Sequence, residues 1–196
     1  MWGDWRDRYV HGMFIIWPPD DVRSPINALR ERFDPDSAAI CEAHITLTQP
    51  FVDSPSDDDW STLKQIVAAY QPIDIVYGTV KTFLPYPCLY LEVEPVVAFT
   101  RLHEALQGCG LFHPAPSNHE RCVPHLTILE NTMTAEETAR LASELQESAP
   151  SGTFVCREIA FIVPDDQFHF AVERTLPLGA AFGRVVDDEQ SGRTGP

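Results

Sequence analysis

Two stretches of the chain combine residue types that can move protons and hold a phosphate. "EAHITLTQPF" (residues 42–51) and "CVPHLTILEN" (residues 122–131) both read His, apolar, Thr, apolar, and His44 and His125 stand 81 positions apart. In a strand, side chains alternate between faces, so His44, Thr46 and Thr48 are expected on one face, with Ile45 and Leu47 on the other. The same alternation places His125 and Thr127 opposite Leu126 and Ile128. Each strand would present an imidazole and a hydroxyl side by side, with apolar residues anchoring it from behind. Cleaving a phosphodiester by in-line displacement needs a base at the entering oxygen and an acid at the leaving oxygen. It also needs donors for the nonbridging oxygens. Histidine suits both proton-transfer roles because its ordinary pKa of ~6.5 leaves both forms accessible near neutrality. The two threonines would hold phosphoryl oxygens, and the scheme calls for no metal and no cofactor.

These strands sit in a repeating order of elements. Residues 9–17 read as a strand ended by Pro18 and Pro19, and Ser24–Pro25 reads as the start of a helix carrying Ile26, Leu29 and Phe33. The first motif strand follows, ending at Pro50. The acidic run Asp57–Asp58–Asp59 then opens a helix whose apolar face is Trp60, Leu63, Val67 and Tyr70. Two strand runs around "PYP" form a hairpin. A helix with Phe99, Leu102 and Leu106 ends at Gly108, a polar loop leads to the second motif strand over 123–129, and a capping box from Thr134 to Glu137 opens a helix with Leu141 and Leu145. Two further strand runs, "TFVCREIAFIV" and "FHFAVERTL", flank "PDD". The recurrence of helix, His/Thr strand, helix and hairpin predicts an α+β, bilobal, duplicated fold in one domain over residues 1–178, with residues 179–196 as a tail.

Composition narrows the partners. Asp and Glu number 29 against 14 Lys and Arg, and the net charge of -15 opposes binding along duplex DNA or long RNA. A small nucleotide or an RNA end remains compatible, since backbone NH groups and hydroxyls can hold one phosphate. The five cysteines are scattered without metal-ligand spacing, which argues against a disulfide framework. No signal-peptide pattern or membrane-length apolar run is present, so a cytoplasmic, soluble monomer with no membrane partner is expected.

The pair "HITL" and "HLTI" in a chain of this length resembles the two-histidine (2H) phosphoesterase superfamily, which includes 2'-5' RNA ligase-like proteins and 2',3'-cyclic phosphodiesterases. The resemblance implies two antiparallel β-sheets flanking a central cleft, with helices packed outside. It makes His44 and His125 the acid/base pair, and Thr46 and Thr127 the phosphate donors. The chain departs from the RNA ligase-like pattern at Glu130, where an arginine is often found shortly after the second motif. The implied activity is hydrolysis of a 2',3'-cyclic phosphate on a nucleotide or RNA end. Alternatives are 2'-5' ligation or cleavage, cyclic-dinucleotide hydrolysis, and nucleotide binding without turnover.

Phe51 and Tyr86 are candidate base-stacking residues, although such aromatics more often anchor loops in a core. His11 and His169 fall on strand runs near the ends of the chain and are read as half-buried strand residues rather than cleft residues, and His103, His113 and His119 lack metal-ligand spacing. Cys41 and Cys122 each precede a motif histidine by three residues. At odd spacing in a strand, each would face away from its histidine, against a Cys/His nucleophile pair.

Overall fold

The computed structural model describes residues 5–115 and 123–179. After a 3-10 turn at Trp5–Arg8, the order is β1 (Met13–Ile16), α1 (Asp20–Phe33), α2 (Pro35–Ile40), β2 (Ile45–Thr46), α3 (Asp57–Ala68), β3 (Ile73–Thr82) and β4 (Cys88–Glu94). Then follow α4 (Val96–Gln107), β5 (His125–Glu130), α5 (Ala135–Leu145), β6 (Gly152–Cys156), β7 (Glu158–Pro164) and β8 (Phe170–Pro177). The strands form two antiparallel sheets, in orders β2-β1-β7-β8 and β5-β4-β3-β6. Each motif strand is therefore the edge of its own sheet. The duplicated α+β architecture expected from the sequence is present, but the lobes are not the two halves of the chain. Strands β7 and β8 come from the C-terminal half and complete the sheet begun by β1.

One large core joins both sheets and the helices. It includes Phe14, Ile16, Ile26, Ile45, Leu63, Leu91, Phe99, Leu126 and Phe161. A smaller cluster of Met13, Ile15, Cys41, Ala160 and Ile162 lies on the opposite face of the first sheet. Strand β1 is thus buried on both faces.

Several boundaries differ from the sequence reading, each for a local reason. The first strand begins at Met13, because the chain turns at Gly12, whose φ of +75° and close approach to the Ile162 carbonyl exclude a side chain. Helix α1 begins at Asp20 after Pro19, with Asp20 and Asp21 in its first turn, so Pro25 lies inside the helix. The run "TFVCREIAFIV" is two strands. It pairs first with β3 and then, beyond Arg157, with β1 and β8 in the other sheet. The capping boxes Ser56/Asp59 and Thr134/Glu137 open α3 and α5 as expected. Among the described residues, no helix is long and apolar enough to cross a membrane. The expected tail from residue 180, Cys122 and His119 lie outside the described residues.

Candidate active site

The register of each edge strand sets what its motif presents. In the first sheet Ile16 faces Ile45 and Ile15 faces Thr46, which sends Ile45 into the large core and leaves Thr46 exposed beside Ile15. In the second sheet His125 faces Glu92 and Thr127 faces Tyr90, with Leu126 fully buried behind them. Strands β2 and β5 lie against each other. The two imidazoles are near enough that His125 contributes to the depressed pKa of His44.

Both histidines are held by the same bond. His44 Nδ1 lies 2.7 Å from the carbonyl of Glu42, and His125 Nδ1 lies 2.7 Å from the carbonyl of Val123, in each case two residues back along the chain. A carbonyl can only accept, so Nδ1 carries the proton in both rings. In the neutral tautomer Nε2 is then the basic nitrogen. Burial pushes the His44 pKa down to about 4. The Glu42 carbonyl works against that shift, while Arg30 and His125 add to it. His125 is packed edge-on by Phe83 and Tyr90, each with its ring centre 5.2 Å away. Phe83 and Tyr90 in turn stack on one another at 4.2 Å.

The segment leading into His44 is carried by helix α1. Arg23, Asn27, Arg30 and Asp34 recur at i, i+4, i+7 and i+11, which places them on one side of the helix. Arg23 pairs with Glu42 at 3.2 Å, and Asn27 accepts the Ala43 NH at 2.7 Å. Arg30 donates to the carbonyls of Cys41 at 2.9 Å, Ser37 at 3.0 Å and Thr127 at 3.0 Å. Asp34 accepts the Glu130 NH at 3.0 Å and the Ser37 NH at 3.3 Å. One helix face therefore binds the backbone of both motifs.

Comparison with known proteins bears on the family of the chain rather than on these side chains. The family model described as the 2'-5' RNA ligase superfamily matches residues 18–167. The chain belongs to this superfamily. Its 2H phosphoesterase resemblance is accordingly borne out.

Among relatives of this superfamily member, a Geobacillus kaustophilus protein named "Putative phosphoesterase" is 35% identical over 128 residues, covering 62% of this chain and 70% of the relative. One of the same designation from Bacillus licheniformis is 26% identical over 180 residues, covering 85% and 97%. Solved structures share the fold. Escherichia coli LigT complexed with 3'-AMP aligns with a TM-score of 0.54 at 16% identity, covering 85% of this chain and 95% of LigT. A Thermus thermophilus protein aligns at 0.53 and 13% identity, covering 85% and 97%. Family and relatives support a phosphoesterase enzyme.

Within this superfamily member, the remaining sequence expectations divide. Thr48 does not share the face of His44 and Thr46. The chain leaves β2 after Thr46, the NH groups of Leu47 and Thr48 both donate to the Phe14 carbonyl, and the Thr48 hydroxyl accepts the Phe14 NH at 3.0 Å. Phe51 is corrected as a stacking residue. It is fully buried, 4.3 Å from Phe112 and in edge contact with Phe14 and Phe161, so no ring face is available to a base. Tyr86 is 43% exposed at the hairpin turn, where its hydroxyl bonds to the Glu130 carboxylate and accepts from Asn131 Nδ2 at 2.6 Å. Glu130 is thus engaged by Tyr86 through its side chain and by Asp34 through its backbone.

Cys41 does not face away from His44, because residues 41–44 bend rather than extend. Its sulfur lies 3.4 Å from His44 Nδ1. Burial pushes its thiol up to about 12, so it is a protonated neighbour and no nucleophile. His103 supports motif one from α4, with Nδ1 2.7 Å from the Leu47 carbonyl. His11 reaches Ser54, and His169 sits by Asp165 at 3.6 Å in an exposed turn. The residues that sequence reading missed are Asn27, Arg30 and Asp34. Their helical spacing was legible, but a polar helix face ordinarily signals solvent.

Proposed function

We propose that the protein is a metal-independent phosphodiesterase that opens a 2',3'-cyclic phosphate on a nucleotide or RNA end to a monoester. The observation that carries this reading is the matched bond of His44 and His125, each with Nδ1 held by the carbonyl two residues back, which makes Nε2 the nitrogen that would transfer a proton. His44, held neutral by its depressed pKa, suits the base. Its Nε2 removes a proton from water as the water oxygen bonds to phosphorus. The bond from phosphorus to one ribose oxygen breaks, and Nε2–H of a protonated His125 protonates that oxygen. Thr46 and Thr127 donate to the nonbridging oxygens as charge shifts onto them. Tyr86, exposed on the turn between β3 and β4, would offer a ring for the base. The absence of an arginine at the position of Glu130, together with the net charge of -15, favours a small substrate or a strand end over a long RNA.

The test is a product assay on 2',3'-cyclic nucleotides, 2'-5' dinucleotides and cyclic dinucleotides, with and without EDTA, for the parent, His44→Ala and His125→Ala. Expected are EDTA-resistant hydrolysis of the 2',3'-cyclic substrates and a loss of about 10²- to 10⁴-fold for either variant. Preference for another diester would change the substrate and leave the two-histidine chemistry standing. Binding without turnover would make this a nucleotide-binding module, and full activity in both variants would sink the mechanism.

A further inference from the structure

The protein must bind an anionic diester while carrying a net charge of -15, and among the described residues few cations lie near its two motifs. Arg23 and Lys81 are each paired with a carboxylate, Glu42 and Glu92, whereas Arg30 is buried and bound to backbone carbonyls. It is 4% exposed and sits behind both motifs rather than on the surface, reaching the carbonyl of Cys41, three residues before His44, and the carbonyl of Thr127, inside the second motif. Asp34, which caps the end of the same helix and is 1% exposed, takes the NH of Glu130 from the same strand edge. Strand β5 is at the edge of its sheet, so these outward-facing backbone groups would otherwise be left for water or for another chain. Together the two side chains tie the second sheet's edge to the segment that carries His44, joining parts of the chain that belong to separate sheets.

We propose that Arg30 is a positioning residue that clamps the two His/Thr motifs together and supplies the buried positive charge behind the phosphate site. Arg30 touches neither the substrate nor the imidazoles, and acts through the backbone of both motifs. Three carbonyls on two separate segments suit the fixed fork of a guanidinium and exceed what one ammonium can span in the same geometry. In a low-dielectric position its charge is weakly screened, and it acts on His44 as well as on the diester. His44 is faced by Arg30, His125, the Cys41 thiol and the Glu42 carbonyl, and Arg30 is faced by Cys41, Asp34 and Glu130. Arg30 is among the causes of the low His44 pKa.

This inference rests on the proposed acid/base role of His44 and His125. Its test therefore has one readout that needs no turnover. The parent, Arg30→Met and Arg30→Lys are compared by NMR titration of labelled histidines, by thermal unfolding, and by kcat and KM on a 2',3'-cyclic nucleotide. For Arg30→Met, the His44 titration is expected to move up from about 4, and kcat to fall about 10- to 100-fold, the scale of a 1 Å misplacement. Arg30→Lys keeps the charge and loses part of the clamp, so His44 moves less while kcat still falls about 10-fold. A folded Arg30→Met with the parent's kcat and His44 titration would overturn the proposal, whatever its melting temperature. Should Arg30→Met fail to fold, Arg30→Lys decides: parent kcat overturns the clamp, and the expected loss supports it. If the parent hydrolyses none of the diesters, the proposed function fails, and the His44 titration alone still decides whether Arg30 sets its charge.

Discussion

His44 and His125 come from different sheets and opposite halves of the chain, yet each donates Nδ1–H to the carbonyl two residues before it at 2.7 Å. Equivalent bonds do not give the two rings the same surroundings. His44 is pushed down to about 4 mainly by burial, and the Arg30 guanidinium adds to the effect. Two copies of one local motif thus acquire different environments from what packs around them, which is what the proposed division into base and acid would need.

The pH dependence follows from the His44 shift. Its folded pKa lies below the unfolded value of about 6.5, so the unfolded chain takes up this proton first. The stability contributed by neutral His44 is therefore complete above pH ~6.5 and is lost as pH falls toward about 4. Urea unfolding at pH 7.5, 6 and 5 should show the midpoint falling in that window, and falling less in His44→Gln. In the same window kcat/KM should hold, with the limb assigned to the base appearing only near pH 4. A base limb at pH 6.5 that disappears with His44 would contradict the shift.

The two threonines of the first motif segment separate site from scaffold. Thr48→Val removes the acceptor of the buried Phe14 NH and is expected to cost about 1–3 kcal/mol in stability, with kcat/KM close to that of the parent. Thr46 is exposed, so Thr46→Val should leave stability within about 0.5 kcal/mol and lower kcat. Thermal unfolding and steady-state kinetics on both variants check this. The reverse pattern would place the wrong hydroxyl at the phosphate.

Phe51 and Tyr86 are expected to part in the same way. Truncating the buried Phe51 to Ala opens a cavity among Phe14, Phe112 and Phe161 and should cost about 3–5 kcal/mol, measurable by denaturant unfolding. Tyr86→Ala should leave the fold intact and raise KM by about 5- to 100-fold if its ring carries a base, whereas Tyr86→Phe keeps the ring and stays near the parent KM. Equal KM values for the parent and both Tyr86 variants would remove Tyr86 from the substrate site.

Local pattern alone was enough to identify several features. The period-2 alternation around His44 and His125, the capping boxes at Ser56 and Thr134, and the hairpin of β3 and β4 depend on neighbours in sequence, where side-chain direction and backbone propensity act. The matching order of elements in the two halves also made the duplicated α+β fold and the pairing of the motifs legible. What needed the tertiary structure was everything set by distant partners. Thr48 continues a strand pattern on paper and Phe51 reads as a stacking candidate, but the Phe14 NH takes the hydroxyl of the first and Phe112 packs the second into the core. The run through Arg157 reads as one strand and is divided between two sheets, since hydrogen-bond partners are not encoded in periodicity. Arg23, Asn27, Arg30 and Asp34 look like a solvated helix face and instead hold the motif backbones, because unpaired NH and carbonyl groups at two sheet edges lie against that face. The identity of the candidate groups was written locally. Their relative position was decided by the packing of two sheet edges, and by a helix whose Arg30 stands 97 positions before the Thr127 whose carbonyl it binds.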